Sequence, residues 1–200
     1  MNRREAIQRT AMVLGYAVSA SSLAGIMHGC KATPQVAFAP KFFSNDQAAL
    51  ISELSEIIIP KTTTPGAKEA GVPMFIDSLV GEVYTKADQD KFVSGINNFN
   101  DDAKKTFGND FLQCERDQQL EIFRKHHDQA LANSAGGGPT GWWNLGSAVE
   151  KPWILVVKEL TLLGFFTSEA GATQVLQYNQ VPGPYQGCVP LADVGKAWAT

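Results

Sequence analysis

The stretch SNDQAALISELSEIIIP, residues 44–60, decides the fold class. Ser44 followed three residues on by Gln47 is a capping box: the hydroxyl accepts an orphan amide of the first turn while the Gln side chain reaches back to the Ser amide. Leu50, Ile51, Leu54, Ile57 and Ile58 fall at i, i+1, i+4, i+7 and i+8. That spacing gathers them on one face of an α-helix, and Pro60 cannot continue it. The same grammar repeats downstream. After the turn-rich Thr62-Thr63-Thr64-Pro65-Gly66, Pro73 suits a first-turn position, and Val72, Phe75, Ile76, Leu79, Val80 and Val83 recur at helical spacing. A third helix is predicted from near Thr85, with Asp88 three residues later, through Phe92, Ile96, Phe99, Ala103 and Phe107 to a stop at Gly108. A fourth covers roughly Glu115 to Leu131, with Leu120, Phe123, His127 and Ala130 to one side. A fifth is expected from Val149 to Phe166, with Pro152 in its first turn and apolar residues around most of its circumference. Such a helix is either buried in the centre of a bundle or keeps one side for another protein. No segment alternates with period two over a useful length. The expectation is an all-α, compact bundle of about five helices.

The bundle is followed by LTLLGFFTSEAGATQVLQYNQVPGPYQGCVPL, residues 160–191. Pro182, Pro184 and Pro190 with Gly171, Gly183 and Gly187 argue against a long helix or central strand, because each proline removes an amide donor and fixes φ. An irregular Gly/Pro/aromatic C-terminal tail is expected. It keeps Phe165, Phe166, Tyr178, Tyr185, Val189 and Leu191, too much apolar area for a free tail, so it is expected to lie against a surface, its own or a partner's.

Two blocks carry a family resemblance. Leu162-Leu163-Gly164-Phe165-Phe166-Thr167-Ser168-Glu169-Ala170-Gly171-Ala172, followed by Tyr178 and then Pro182-Gly183-Pro184-Tyr185-Gln186-Gly187-Cys188, resembles the C-terminal signature of the gluconate 2-dehydrogenase subunit 3 family. Ile57-Ile58-Ile59-Pro60, Thr64-Pro65-Gly66-Ala67, Gly71-Val72 and Phe75-Ile76-Asp77 resemble the N-terminal half of the same family. The resemblance implies a small, non-catalytic subunit of a periplasmic complex. Its FAD-binding large subunit, of the glucose-methanol-choline oxidoreductase type, oxidises a sugar or sugar acid, and a cytochrome c subunit with haem c is a further expected partner. This chain itself is expected to bind no cofactor. Phe165, Phe166, Thr167, Tyr178, Tyr185 and Cys188 are the expected partner contacts, with Trp142 and Trp143 as weaker candidates.

Apolar residues make up 44% of the 200-residue chain, ordinary for one globular domain. The net charge of −3 becomes two units more negative without residues 1–30, where Arg3, Arg4 and Arg9 face Glu5. A nucleic-acid partner is therefore not expected, since phosphate binding needs a basic patch and Arg124-Lys125 is a minimal one. Arg3 and Arg4 precede a weakly apolar, uncharged run from Ala11 to Gly29, the layout of an export signal of the twin-arginine type. Ala6 and Gln8 depart from that type, so Sec export stays open, as does a transmembrane helix, for which Ser19 to Ser22, Gly25 and His28 are poor material. Cys30, after Met27-His28-Gly29, resembles the lipidated cysteine of a lipoprotein box; the alternative is an incidental thiol. The expected division is residues 1–30 as export signal, 31–43 as tether and 44–200 as the helical domain, held at the membrane on its periplasmic side by lipid at Cys30.

No catalytic, cofactor-binding or metal site is expected. His126-His127 with Asp117, Glu121 and Asp128 is the best acid–base or metal candidate, but adjacent histidines point about 100° apart on a helix and do not converge on one ion. The glycine-rich Asn133 to Gly141 lacks the Lys-Ser/Thr of a phosphate loop, and no nucleophile elbow or dinucleotide fingerprint is present. Cys188 is read as bridging to a partner, as pairing with Cys114, or as free; Cys114, beside Phe111 and Leu112, reads as a core thiol. The competing functional class is a stand-alone, lipid-anchored helical binding protein of the periplasm. An enzyme using His126 or His127 is the third.

Overall fold

The computed structural model describes residues 36–134, 151–181, 183–184 and 187–199. Arg3, Arg4, Cys30, the glycine-rich loop beyond Ser134, Trp142, Trp143 and Tyr185 lie outside them. The described chain is all-α, as expected. Helix α1 spans Asn45–Ile58, with both halves of the Ser44/Gln47 capping box formed: the Gln47 amide donates to Ser44 Oγ at 3.2 Å and the Ser44 amide to Gln47 Oε1 at 3.1 Å. Helix α2 covers Val72–Glu82 with Pro73 in its first turn, and α3 covers Lys86–Phe107, capped by Thr85 and ended by Gly108. A short 3₁₀ turn, Phe111–Gln113, leads into α4, Arg116–Ser134.

Helix α5 is Trp153–Phe166. It starts later than the periodicity suggested, because Pro152 takes the capping position at φ −55° and ψ 135° instead of entering the first turn. The all-round apolar character of α5 is explained by its place: it touches each of the other four long helices. Ile154, Leu155, Val157, Leu160 and Phe165 are buried there against Leu50, Ile51 and Leu54 of α1, Ile76 and Val80 of α2, and Phe92, Ile96 and Phe99 of α3. Two small hydroxyls let α1 and α5 approach. Ser55 and Thr161 are fully buried, each donating to a carbonyl one turn back in its own helix, Ile51 and Val157, both at 2.8 Å. Neither hydroxyl is left unpaired in the core.

Three expectations need correction. In α4 the core face is Gln119, Ile122 and Ala130; of the expected Leu120, Phe123, His127 and Ala130, only Ala130 is fully inside. Gln119 can go inside because its side-chain amide donates to the Phe111 carbonyl at 3.1 Å, while Phe123 and His127 stack on each other at the flank, ring centres 5.8 Å apart. Val83, counted with the apolar stripe of α2, is the C-cap residue and is 73% exposed. The tail is also less irregular than its prolines implied: Gly171–Val175 winds one π turn and Leu191–Val194 forms a short α6. A single parallel bridge joins Gln177 to Trp198, with the Gln177 amide donating to the Ala197 carbonyl and the Ala199 amide to the Gln177 carbonyl. Val175 packs on the core, whereas Tyr178, Val181, Val189 and Trp198 remain exposed. Of the two surfaces the tail was expected to cover, its own is left bare at these residues.

Candidate functional site

Asp77 organises the region where the two signature blocks meet. It sits in the second turn of α2, is almost wholly buried, and accepts the amides of three successive residues. Lys41 N donates to Oδ2 at 2.7 Å, Phe43 N to Oδ1 at 2.8 Å, and Phe42 N lies between, 3.2 Å from Oδ1. A carboxylate holding three backbone amides is a charge-assisted clasp. It fixes residues 41–43 just ahead of the Ser44 cap, and lets Phe43 enter the core beside Phe92, ring centres 5.7 Å apart. Glu56 near the end of α1 does similar work for the following loop, accepting the Lys61 amide at 2.9 Å and the Lys68 amide at 3.0 Å.

Beside this clasp lies a cleft of about 430 Å³, bounded by Ala39 and Lys41 of the segment leading into α1, by Ala70, Gly71, Met74 and Phe75 at the start of α2, and by Gly164, Thr167 and Ser168 at the end of α5. Its α5 wall is bare at Gly164 for a reason. A Cβ on Gly164 would stand 2.7 Å from the Phe75 ring, so the two helices can cross here only over glycine. Seven residues further on, past the end of α5, a Cβ on Gly171 would fall 2.0 Å from the Phe165 carbonyl oxygen, a backbone atom that cannot step aside. Ser168 closes the same corner, its hydroxyl donating to the Phe165 carbonyl and accepting the Gly171 amide.

Apolar side chains of the cleft lining and of the outward face of α5 are uncovered. Met74 is 54% exposed, Leu163 49% and Phe166 39%. Leu163, Phe166 and Thr167 fall at i, i+3 and i+4, one outward stripe of α5, and Thr167 is exposed with its hydroxyl bonded to the Leu163 carbonyl. Of the expected partner contacts, Phe166, Thr167, Tyr178 and Cys188 are at the surface. Phe165 is not: at 2% exposure it belongs to the core, because α5 turns it inward, one residue from the outward stripe. Met74 was not singled out in the sequence and Leu163 was placed with the apolar run of α5; only the helix crossing decides which members of a run face out.

His126 and His127 are engaged separately. His126 Nε2 donates to Asp102 Oδ2 of α3 at 3.0 Å, since the carboxylate can only accept, and its ring lies 4.9 Å from that of Phe99. The same carboxylate takes Lys125 Nζ at 2.8 Å. That bond holds the Asp102 carboxyl below the usual carboxylate range, with His126 adding to the effect and partial burial opposing it. His127 instead meets Lys158 of α5 at 3.1 Å. Among the described residues no three His, Cys, Asp or Glu side chains gather into a metal set, and no described helix is long and apolar enough to cross a membrane. Cys114 is a buried free thiol, pushed up in pKa by burial first and by Asp110 second; Cys188 is an exposed free thiol.

The described chain is thus a helical domain whose two signature blocks, far apart in sequence, build one cleft. The model of the family described as gluconate 2-dehydrogenase subunit 3 matches residues 45–183, and the chain belongs to that family. No curated protein and no solved structure matches the chain.

Proposed function

We propose that this protein is the non-catalytic small subunit of a periplasmic, FAD-dependent dehydrogenase complex acting on a sugar or sugar acid. The observation that carries the reading is the convergence of both family blocks on the cleft between α2 and α5, with Met74 of its lining exposed and Leu163 and Phe166 exposed on the outward face of α5. Exposed apolar side chains grouped on one face are a docking surface in want of a partner. The partner in this reading is the FAD-binding large subunit, of the glucose-methanol-choline type, which holds the flavin and carries out the oxidation; a cytochrome c subunit with haem c takes the electrons onward. The small subunit escorts the folded flavoprotein through twin-arginine export directed by Arg3 and Arg4. It then stabilises the flavoprotein and tethers it through lipid at Cys30. Exposed Cys188, on the same tail as Tyr178 and Trp198, bridges to that partner.

The test is affinity purification of the tagged full chain from its native membrane fraction, with an absorption spectrum and a non-reducing gel of what accompanies it. A yellow eluate holding a flavoprotein supports the complex, and a band that separates only on reduction supports the Cys188 bridge. A colourless lone monomer overturns the reading. It would favour the stand-alone binding protein, for which the cleft volume is within the range of about 300–1,000 Å³ common to small-molecule sites.

A further inference from the structure

The adjacent histidines of α4 are held by groups of opposite charge on opposite sides. His126 reaches Asp102 on α3, while His127 Nε2 stands 3.1 Å from Lys158 Nζ on α5, with only 19% of the His127 side chain exposed. A lysine ammonium has three donors and no acceptor, so in this contact the His127 Nε2 must offer its lone pair. The ring proton is then on Nδ1, which points to Asp128 Oδ1 at 3.4 Å. A second proton on the ring would fall on Nε2, turn an acceptor into a donor facing a donor, and set two cations against each other. From these contacts we infer that the His127–Lys158 pair is an acid-sensitive latch between α4 and α5, closed when the imidazole is neutral and opened when it is charged.

The surrounding charges leave the repulsion uncancelled. Asp128, on the same helix, is largely exposed, so its field is screened by solvent. Asp102, the carboxylate of α3 at this side of α4, is already engaged by Lys125 and His126. On α5, Glu159 is taken by Lys151 at 2.6 Å. His126 responds in the opposite sense, since a charged imidazole strengthens its bond to Asp102. Acid therefore holds α4 to α3 while releasing it from α5, the helix whose far end walls the cleft.

Hydrogen exchange of the full-length chain at pH 7.5 and pH 5.5, corrected for intrinsic exchange rates, tests this directly. The amides around Lys158 in the parent are expected to lose protection severalfold at the lower pH, the sense that linkage gives a contact made only by the neutral ring, while those of α3 beside Asp102 keep theirs. His127→Gln retains an acceptor for Lys158 that cannot charge, and Lys158→Met removes the cation; in both the acid-induced loss disappears. A parent without the loss, or either folded variant that retains it, overturns the latch.

Discussion

Asp77 carries more of the architecture than any other polar side chain described here. Removing it would leave three amides of residues 41–43 without their acceptor at a buried site and release Phe43 from the core. Asp77→Ala is expected to cost about 3 kcal/mol or more, the usual consequence of deleting a buried charge with several partners, read as a lower urea midpoint with an unchanged slope. Asp102 is a residue of another kind, with a pH signature. Its folded-state pKa lies below the unfolded value, so it contributes stability that is full above about pH 4 and is lost as pH falls through the lower, folded value. Asp102→Asn is therefore expected to be less stable than the parent near neutrality, with the difference closing below about pH 4 in thermal melts across pH. A constant difference down to pH 2.5 would mean that packing, not charge, is what the substitution removes.

At the scale of elements, the helix starts are local chemistry and the helix faces are not. The Ser44 box predicted the start of α1 to the residue, and Ser44→Ala is expected to lower stability by about 1 kcal/mol, measurable by chemical denaturation. The turn after α5 is fixed by a close approach instead. Gly171→Ala would drive a methyl group onto the Phe165 carbonyl oxygen and is expected to destabilise by about 1–3 kcal/mol, with the loss appearing as a lower melting temperature. The core face of α4 was illegible because its stripe is thin and mixed. Gln119 is buried only since the Phe111 carbonyl, supplied by a separate turn, is there to receive its amide. Phe165 and Phe166 are likewise equivalent on paper, and the position of α5 among four neighbours sends one inward and leaves the other out.

At the scale of the molecule, the cleft is a product of tertiary assembly: the clasped segment at 39–41, the start of α2 and the end of α5 contribute to it from three separate parts of the chain. If the outward face of α5 next to the cleft lining is the seat of the large subunit, then Leu163→Ser combined with Phe166→Ser should leave the helical spectrum and the melting temperature close to the parent's, because both side chains are already substantially exposed. The co-purifying flavoprotein should be lost. Retention of the flavoprotein at parental stoichiometry would place the interface elsewhere, with the exposed Tyr178 and Trp198 of the tail as the next surface to change.

The sequence by itself determined the all-α class, the caps of α1 and α3, most of the apolar residues of the first three helices and the family, because these rest on near-neighbour spacing and on ordered motifs. Only the tertiary structure decided that Asp77 clasps residues 41–43, that Gly164 must be bare for Phe75 to cross it, and that Met74, Leu163 and Phe166 stay outside while Phe165 goes in. Those facts depend on which surfaces meet across dozens of residues, and a periodic pattern says that a face is apolar without saying what will cover it.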